Sequence, residues 1–316
     1  MRRLCIPIIT GVLLAASVAG VTAQEDSKAR PAIPSAGCGG TDVEPGIQRA
    51  LTINVDDVER GWSMYVPEGY DTRTPVPMWI GLHGRGLSPA SQIAHASGLA
   101  DEQGFVVVAP QRDHFGGDHW MWDGDDTEMD VSRSNPDIAL IDALIDRVEE
   151  DLCIDLARVY ATGFSSGGGG VTVLACVLED RIAAASAVVG LTFDLGDACE
   201  LARPVPFLAI HGTADSGPYF AGGFRIGHRI KELYGSDSIP DRVGAIAGRN
   251  GCEAEPTGEA MSESVERVTW ACPAGAEVEL VVIEGGGHRW PTSFLPNPVD
   301  ATAEVWEFFE QHPMPE

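Results

Sequence analysis

The segment Gly163-Phe164-Ser165-Ser166-Gly167 places a serine between two glycines at the G-x-S-x-G spacing. The apolar run Val159-Tyr160-Ala161-Thr162 precedes it, and a helical pattern from Ser166 to Leu178 follows. Strand, tight turn and helix in that order make a nucleophile elbow: flanking side chains would clash, and the serine oxygen is held exposed on a strained backbone. The chemistry open to such a serine is acyl transfer. Its hydroxyl attacks a carbonyl only when a base takes its proton, and the base needs a carboxylate to orient it.

On a sheet of this type the acid and then the histidine follow the serine in the chain, each in a loop after a strand. His211-Gly212-Thr213-Ala214-Asp215 follows an apolar run ending at Ile210, and Gly285-Gly286-Gly287-His288 follows one ending at Ile283. Asp215 and His288 are therefore the expected acid and base. His211 competes for the base role, but a side chain at the strand end itself packs or bonds locally more often than it reacts. Asp194 and Asp197 compete for the acid role, yet they follow the strand ending at Val189, one strand early. The developing oxyanion needs donors. The expected pair is the backbone N–H of Ser166, directly after the nucleophile, and that of Arg85 in the loop His83-Gly84-Arg85-Gly86.

The elements that must hold these groups are legible as short apolar runs separated by helical spacing. Leu51–Val55 and Trp62–Val66 alternate apolar and polar residues, as an antiparallel hairpin does. Met78–Leu82, Phe105–Ala109, Val159–Thr162, Ala184–Val189, Val205–Ile210 and Val278–Ile283 are nearly continuous apolar runs, as expected of strands buried on both faces. Asn135-Pro136 is a cap and first turn for a helix to about Leu152, and Val299 to Gln311 is a further helix. The alternation predicts an α/β fold: one mainly parallel sheet with helices on both faces. About 15 residues separate Val189 from Val205, too few for a separate lid domain.

The longest loop, residues 110 to 135, leaves the carboxyl end of a central strand, where ligands bind in open α/β sheets. It carries His114, Phe115, His119, Trp120 and Trp122, and the expectation is that Trp120 and Trp122 wall a substrate group, with Trp290 opposite. Asp123, Asp125, Asp126, Glu128 and Asp130 crowd the same loop without the EF-hand spacing, so a solvated acidic loop is favoured over a Ca2+ site. No metal or other cofactor is expected. Arg85 and Arg289 flank the site and are placed to meet either a substrate carboxylate or acidic neighbours.

The chain has 316 residues, 44% of them hydrophobic and 22% charged, which excludes collagen, coiled coil and wholesale disorder. Its 21 basic and 47 acidic residues give a formal charge of -26, which repels nucleic acid and anionic membranes. Arg2, Arg3, the apolar stretch Leu4 to Val21 and the small-residue site Val21-Thr22-Ala23 read as an export signal over residues 1–23. Residues 24–49 read as a tail, residues 50–316 as a single catalytic domain, and the mature protein as secreted.

Four segments together resemble a known family: Leu82-His83-Gly84, the stretch Arg158 to Gly168, His211 to Asp215, and Gly286-Gly287-His288-Arg289-Trp290-Pro291. They are similar to the extracellular polyhydroxybutyrate depolymerase and feruloyl esterase family of α/β-hydrolases. The similarity takes in Ser35 to Gly39, Leu152 to Asp155, Leu174 to Cys176 and Asn250 to Cys252, nearly all of the mature chain. It implies an α/β-hydrolase fold and a serine esterase; the lack of room for a lid suits a bulky or polymer-bound ester, and the charge of -26 argues against a nucleic-acid or membrane partner. A feruloyl or related plant cell-wall ester is the favoured substrate, a short-chain polyhydroxyalkanoate the alternative, and a peptidase shares the same triad. A non-catalytic carbohydrate or polyester binding protein is the alternative from another class. The chain departs from the family in Ser216 to Phe220, where a Val-Pro pairing is usual, and in four consecutive glycines after Ser166.

Six cysteines remain beyond the signal, and an even number in an exported chain favours disulfides. Fifteen connectivities are open to six cysteines. Chain order favours Cys252 with Cys272 before the last strand and Cys176 at a helix end with Cys199 in the next loop, which leaves Cys38 with Cys153.

Overall fold

Among the described residues there are ten strands: β1 (Gly46–Val55), β2 (Val58–Val66), β3 (Val76–Leu82), β4 (Val106–Pro110), β5 (Ile154–Phe164), β6 (Ala184–Val188), β7 (Phe207–Gly212), β8 (Thr257–Ser262), β9 (Val265–Trp270) and β10 (Val278–Ile283). The α-helices among the described residues are α1 (Pro89–Gln103), α2 (Pro136–Asp151), α3 (Ser166–Val177), α4 (Ile239–Arg249) and α5 (Ala301–Gln311). This computed structural model describes residues 30–112, 120, 131–190, 195–217, 220–222, 237–292 and 299–315. Contacts divide the chain into Met1–Pro31 and Ala32–Glu316, and the architecture belongs to the second unit.

The strands form one sheet in the order β1-β2-β4-β3-β5-β6-β7-β10-β9-β8. The six from β4 to β10 are parallel, and an antiparallel hairpin extends the sheet at each edge. The β1–β2 turn at Asp56 and Asp57 takes positive φ (49° and 65°), the left-handed backbone that matches the twist of a two-residue hairpin.

Side chains alternate across the parallel strands. Met78, Ile80 and Leu82 of β3 join Val106 and Val108 of β4 in the core shared with α2, α3 and α4. Trp79, Phe105, Val107 and Tyr160 point the other way, toward α1 and α5. There Trp306 stacks on Phe105 at 4.2 Å and Phe309 on Tyr160 at 4.7 Å between centroids. Helix starts are capped by side chains: Asn135 accepts from the N–H of Asp137 at 2.9 Å, and Ser238 and Asp241 form a capping box on α4.

Within the segment read as a tail, residues from Ile33 onward bond to the fold. Ser35 is buried, with its hydroxyl donating to the Leu152 carbonyl at 2.7 Å and accepting from the Ile154 N–H at 3.0 Å. The first strand begins at Gly46, four residues before the expected start of the domain at residue 50. A β-bulge between Gln48 and Leu51, with Ala50 at φ 52°, breaks the alternation that would have marked it. The cysteines pair as Cys38–Cys153, Cys176–Cys199 and Cys252–Cys272.

Candidate active site

β5 ends at Phe164 and α3 begins at Ser166, so the whole reversal of the chain falls on Ser165. Its backbone sits at φ 55° and ψ -118°, a conformation costing on the order of 1–3 kcal/mol for a residue with a side chain. The neighbouring glycines make that turn sterically feasible. A Cβ on Gly163 would overlap the Gly167 carbonyl, and one on Gly167 would overlap the Leu82 carbonyl. The Ser165 N–H donates to the Val188 carbonyl at 3.1 Å, tying the elbow to β6.

His288 stands in the loop after β10, and its Nε2 lies 2.8 Å from Ser165 Oγ. On its other side Nδ1 lies 2.9 Å from Asp215 Oδ1 and 3.0 Å from Oδ2. Asp215 has an inaccessible side chain, whereas the His288 ring keeps 26% of its surface. A carboxylate accepts only, so this contact puts the His288 proton on Nδ1 and leaves Nε2 free to accept from the serine. Asp215 Oδ1 also accepts from the Gly217 N–H at 2.7 Å. The two loops are laced together: the Ala214 N–H donates to the Gly286 carbonyl at 2.9 Å, and the Gly285 N–H to Thr213 Oγ1 at 2.8 Å.

The loop after β3 closes on the elbow, since a Cβ on Gly84 would stand 3.2 Å from Ser165 Cβ. Gly84 to Leu87 form a turn closed by the Leu87 N–H on the Gly84 carbonyl at 3.1 Å, with Gly86 at φ 72°. Arg85 occupies this turn, and Ser166 heads α3, where an N–H lies outside the i→i−4 ladder. The His83 ring is buried against the Gly84 carbonyl at 2.9 Å, which braces the same turn.

The aromatic residues fall differently from expectation. Trp120 is inaccessible, donates Nε1 to the His83 carbonyl at 2.8 Å and lies against Gly170 of α3. Trp290 is only 5% exposed, stacks on His95 at 4.5 Å and donates Nε1 to Thr302 Oγ1 at 3.0 Å. Both are held by internal partners and so support the site from within instead of walling a substrate group. Burial keeps the His95 imidazole below its ordinary value of 6.5. Trp122, His114, Phe115, His119, the acidic residues of 123–130 and Asp194 lie outside the described residues. Asp197 falls in a 3-10 turn, Gly196–Ala198, after β6. Arg85 and Arg289 are exposed. His211, the competitor for the base, is buried with Nε2 3.3 Å from Asp215 Oδ2. Its contact with the carboxylate was missed, although the H-x-x-x-D spacing at a strand end was its available signal.

Among the described residues no helix is long and apolar enough to cross a membrane. Residues 61–206 match the family model described as Esterase PHB depolymerase. The chain is 31% identical to feruloyl esterase C of Emericella nidulans over 278 residues, covering 84% of this chain and 89% of that one. It is 28% identical to a probable feruloyl esterase C of Aspergillus terreus, over 98% of both chains. Among solved structures, the acetyl xylan esterase of Aspergillus awamori shares the fold with a TM-score of 0.58 at 16% identity, covering 84% of this chain and 98% of that one.

Proposed function

Since the chain belongs to the polyhydroxybutyrate depolymerase and feruloyl esterase family of α/β-hydrolases, we propose that it hydrolyses a plant cell-wall ester through an acyl-enzyme on Ser165. The observation that carries this reading is the continuous line from Ser165 Oγ to His288 Nε2 at 2.8 Å and from His288 Nδ1 to Asp215 at 2.9 Å.

Ser165 Oγ attacks the ester carbonyl while His288 Nε2 takes its proton, and Asp215 holds the resulting imidazolium. The oxyanion is met by the N–H groups of Ser166 and Arg85, which lie on the two segments that converge at the elbow. As the tetrahedral adduct collapses, His288 returns the proton to the leaving alkoxide, and the alcohol departs. Water then enters, gives its proton to His288 and attacks the acyl carbonyl. Collapse of this second adduct restores the Ser165 hydroxyl with the proton from His288 and frees the acid.

A feruloyl or related cell-wall ester is the favoured substrate because the relatives matched over most of the chain are named feruloyl esterases. A short hydroxyalkanoate oligomer is the second reading, favoured by the description of the family model. The paired cysteines and the signal-like first 23 residues support export from the cytoplasm. Exposure of the His288 edge suits a bulky, polymer-bound ester.

The test is a panel of initial rates on methyl ferulate, acetylated xylan and a hydroxybutyrate oligomer, with wild type and Ser165→Ala. Serine-dependent turnover concentrated on methyl ferulate supports the proposal. Preference for the oligomer moves the enzyme to polyester degradation, and turnover retained by Ser165→Ala overturns the assignment of the nucleophile.

A further inference from the structure

Asp215 is fully buried, and burial of a carboxylate is tolerable only when its oxygens are met by donors. The Oδ1 atom is well served, with the Gly217 N–H at 2.7 Å and His288 Nδ1 at 2.9 Å. The Oδ2 atom lies 3.0 Å from the same His288 Nδ1 and 3.3 Å from Nε2 of His211. His211 is itself only 1% exposed, so this imidazole has no path to a substrate. It is also fixed at its root. It sits on β7 in register with Val282 of β10, one residue before Gly212, where a Cβ would overlap the Gly286 carbonyl of the His288 loop. Phe220 lies beside its ring, with centroids 6.3 Å apart.

We propose that His211 is a positioning residue for the reaction: with a proton on Nε2, it closes the Oδ2 side of Asp215 and holds the carboxylate in the orientation that keeps His288 aligned on Ser165. A carboxylate free to turn about its Cβ–Cγ bond would leave His288 Nδ1 off axis. Small losses of alignment between reacting groups cost large factors in rate without changing how substrate binds. The same argument explains why a second histidine stands beside the acid and not beside the serine. This inference rests on the acyl-enzyme reading and adds to it a residue that touches neither substrate nor nucleophile.

The experiment compares His211→Leu, which keeps bulk and loses the donor, with His211→Gln, whose amide nitrogen reaches to the place of Nε2. Three quantities are read: kcat and KM on methyl ferulate, the rate of Ser165 labelling by an organophosphonate, and the melting temperature. The expected result for His211→Leu is a fall in kcat and in labelling rate of about ten- to hundredfold with KM nearly unchanged. His211→Gln should recover most of both. If the leucine variant does not fold, His211→Asn replaces it, since its shorter side chain draws the amide back from Oδ2 and should lose rate in the same way. Wild-type kcat in a folded leucine or asparagine variant overturns the proposal. So does an equal fall in the leucine and glutamine variants, which would mark a purely structural role. Failure of the acyl-enzyme reading is separate: wild type itself would then show no Ser165-dependent turnover.

Discussion

Replacing Asp215 by Asn removes one buried charge and little else, so its effect can be worked from the geometry. The Gly217 N–H, 2.7 Å from Oδ1, requires an acceptor there, so the asparagine oxygen takes that place. Its NH2 then stands at the Oδ2 position, 3.0 Å from His288 Nδ1 and 3.3 Å from His211 Nε2. The oxygen in the Oδ1 place, 2.9 Å from Nδ1, still accepts the Nδ1 proton, but a donor in the Oδ2 place opposes it and weakens the preference for the tautomer that leaves Nε2 free to accept from Ser165. The imidazolium formed during attack also loses its counter-charge. With an effective dielectric constant of about 20, unit charges separated by about 3 to 4 Å attract by roughly 4–6 kcal/mol, or about a thousand- to ten-thousandfold in rate. The assay is kcat/KM on methyl ferulate, with circular dichroism and thermal melting to establish that the variant folds. A folded Asp215→Asn within about tenfold of wild type would refute the electrostatic role assigned to this carboxylate.

Trp120→Phe removes the bond to the His83 carbonyl and leaves that oxygen unpaired, costing on the order of 1–3 kcal/mol. The expected effect is a lower melting temperature and lower kcat with KM steady; a raised KM at unchanged kcat would show that the ring contacts substrate. Reducing or deleting Cys38–Cys153, which closes a separation of 115 residues, releases about 5 kcal/mol of loop-closure entropy to the unfolded chain. Melting should fall by on the order of 10 °C, and a fall under about 2 °C would show the crosslink to be dispensable. Because burial holds His95 below its ordinary 6.5, the unfolded chain takes up its proton first as pH falls. Its contribution is present above pH 6.5 and is lost as pH drops through the lower folded value. Between about pH 8 and pH 5, wild type should therefore lose more stability than His95→Phe, which keeps a ring on Trp290; parallel melting curves for the two would contradict this.

Much of this site could be read from the chain because its chemistry is tied to strand ends. Ser165, Asp215 and His288 each follow an apolar run, and runs buried on both faces carry a strong local signal. Helix α1 had no such signal. Its buried face is Pro89, Gln92, Ile93, Ala96 and Ala100, with one large aliphatic side chain, so no apolar period marks it. Strand β8 is exposed along its whole length and shows no alternation, because an edge strand needs none. Helix α4 was legible in principle: Ser238, Pro240 and Asp241 make a start signal, and Ile239, Val243 and Ile246 supply one face. Trp120 and Trp290 expose the limit of composition. An aromatic ring on a loop has the same sequence appearance facing a substrate or facing the core, and only the partners of its ring nitrogen tell the two apart.

The central claim is that one serine becomes covalently acylated with His288 as its base. The most direct test is intact-protein and peptide mass spectrometry after exposure to an organophosphonate, using wild type, Ser165→Ala and His288→Ala. The account predicts a single adduct on the peptide bearing Ser165, none in Ser165→Ala, and strongly slowed labelling in His288→Ala. An adduct on another residue, or no adduct on folded wild type, would contradict it.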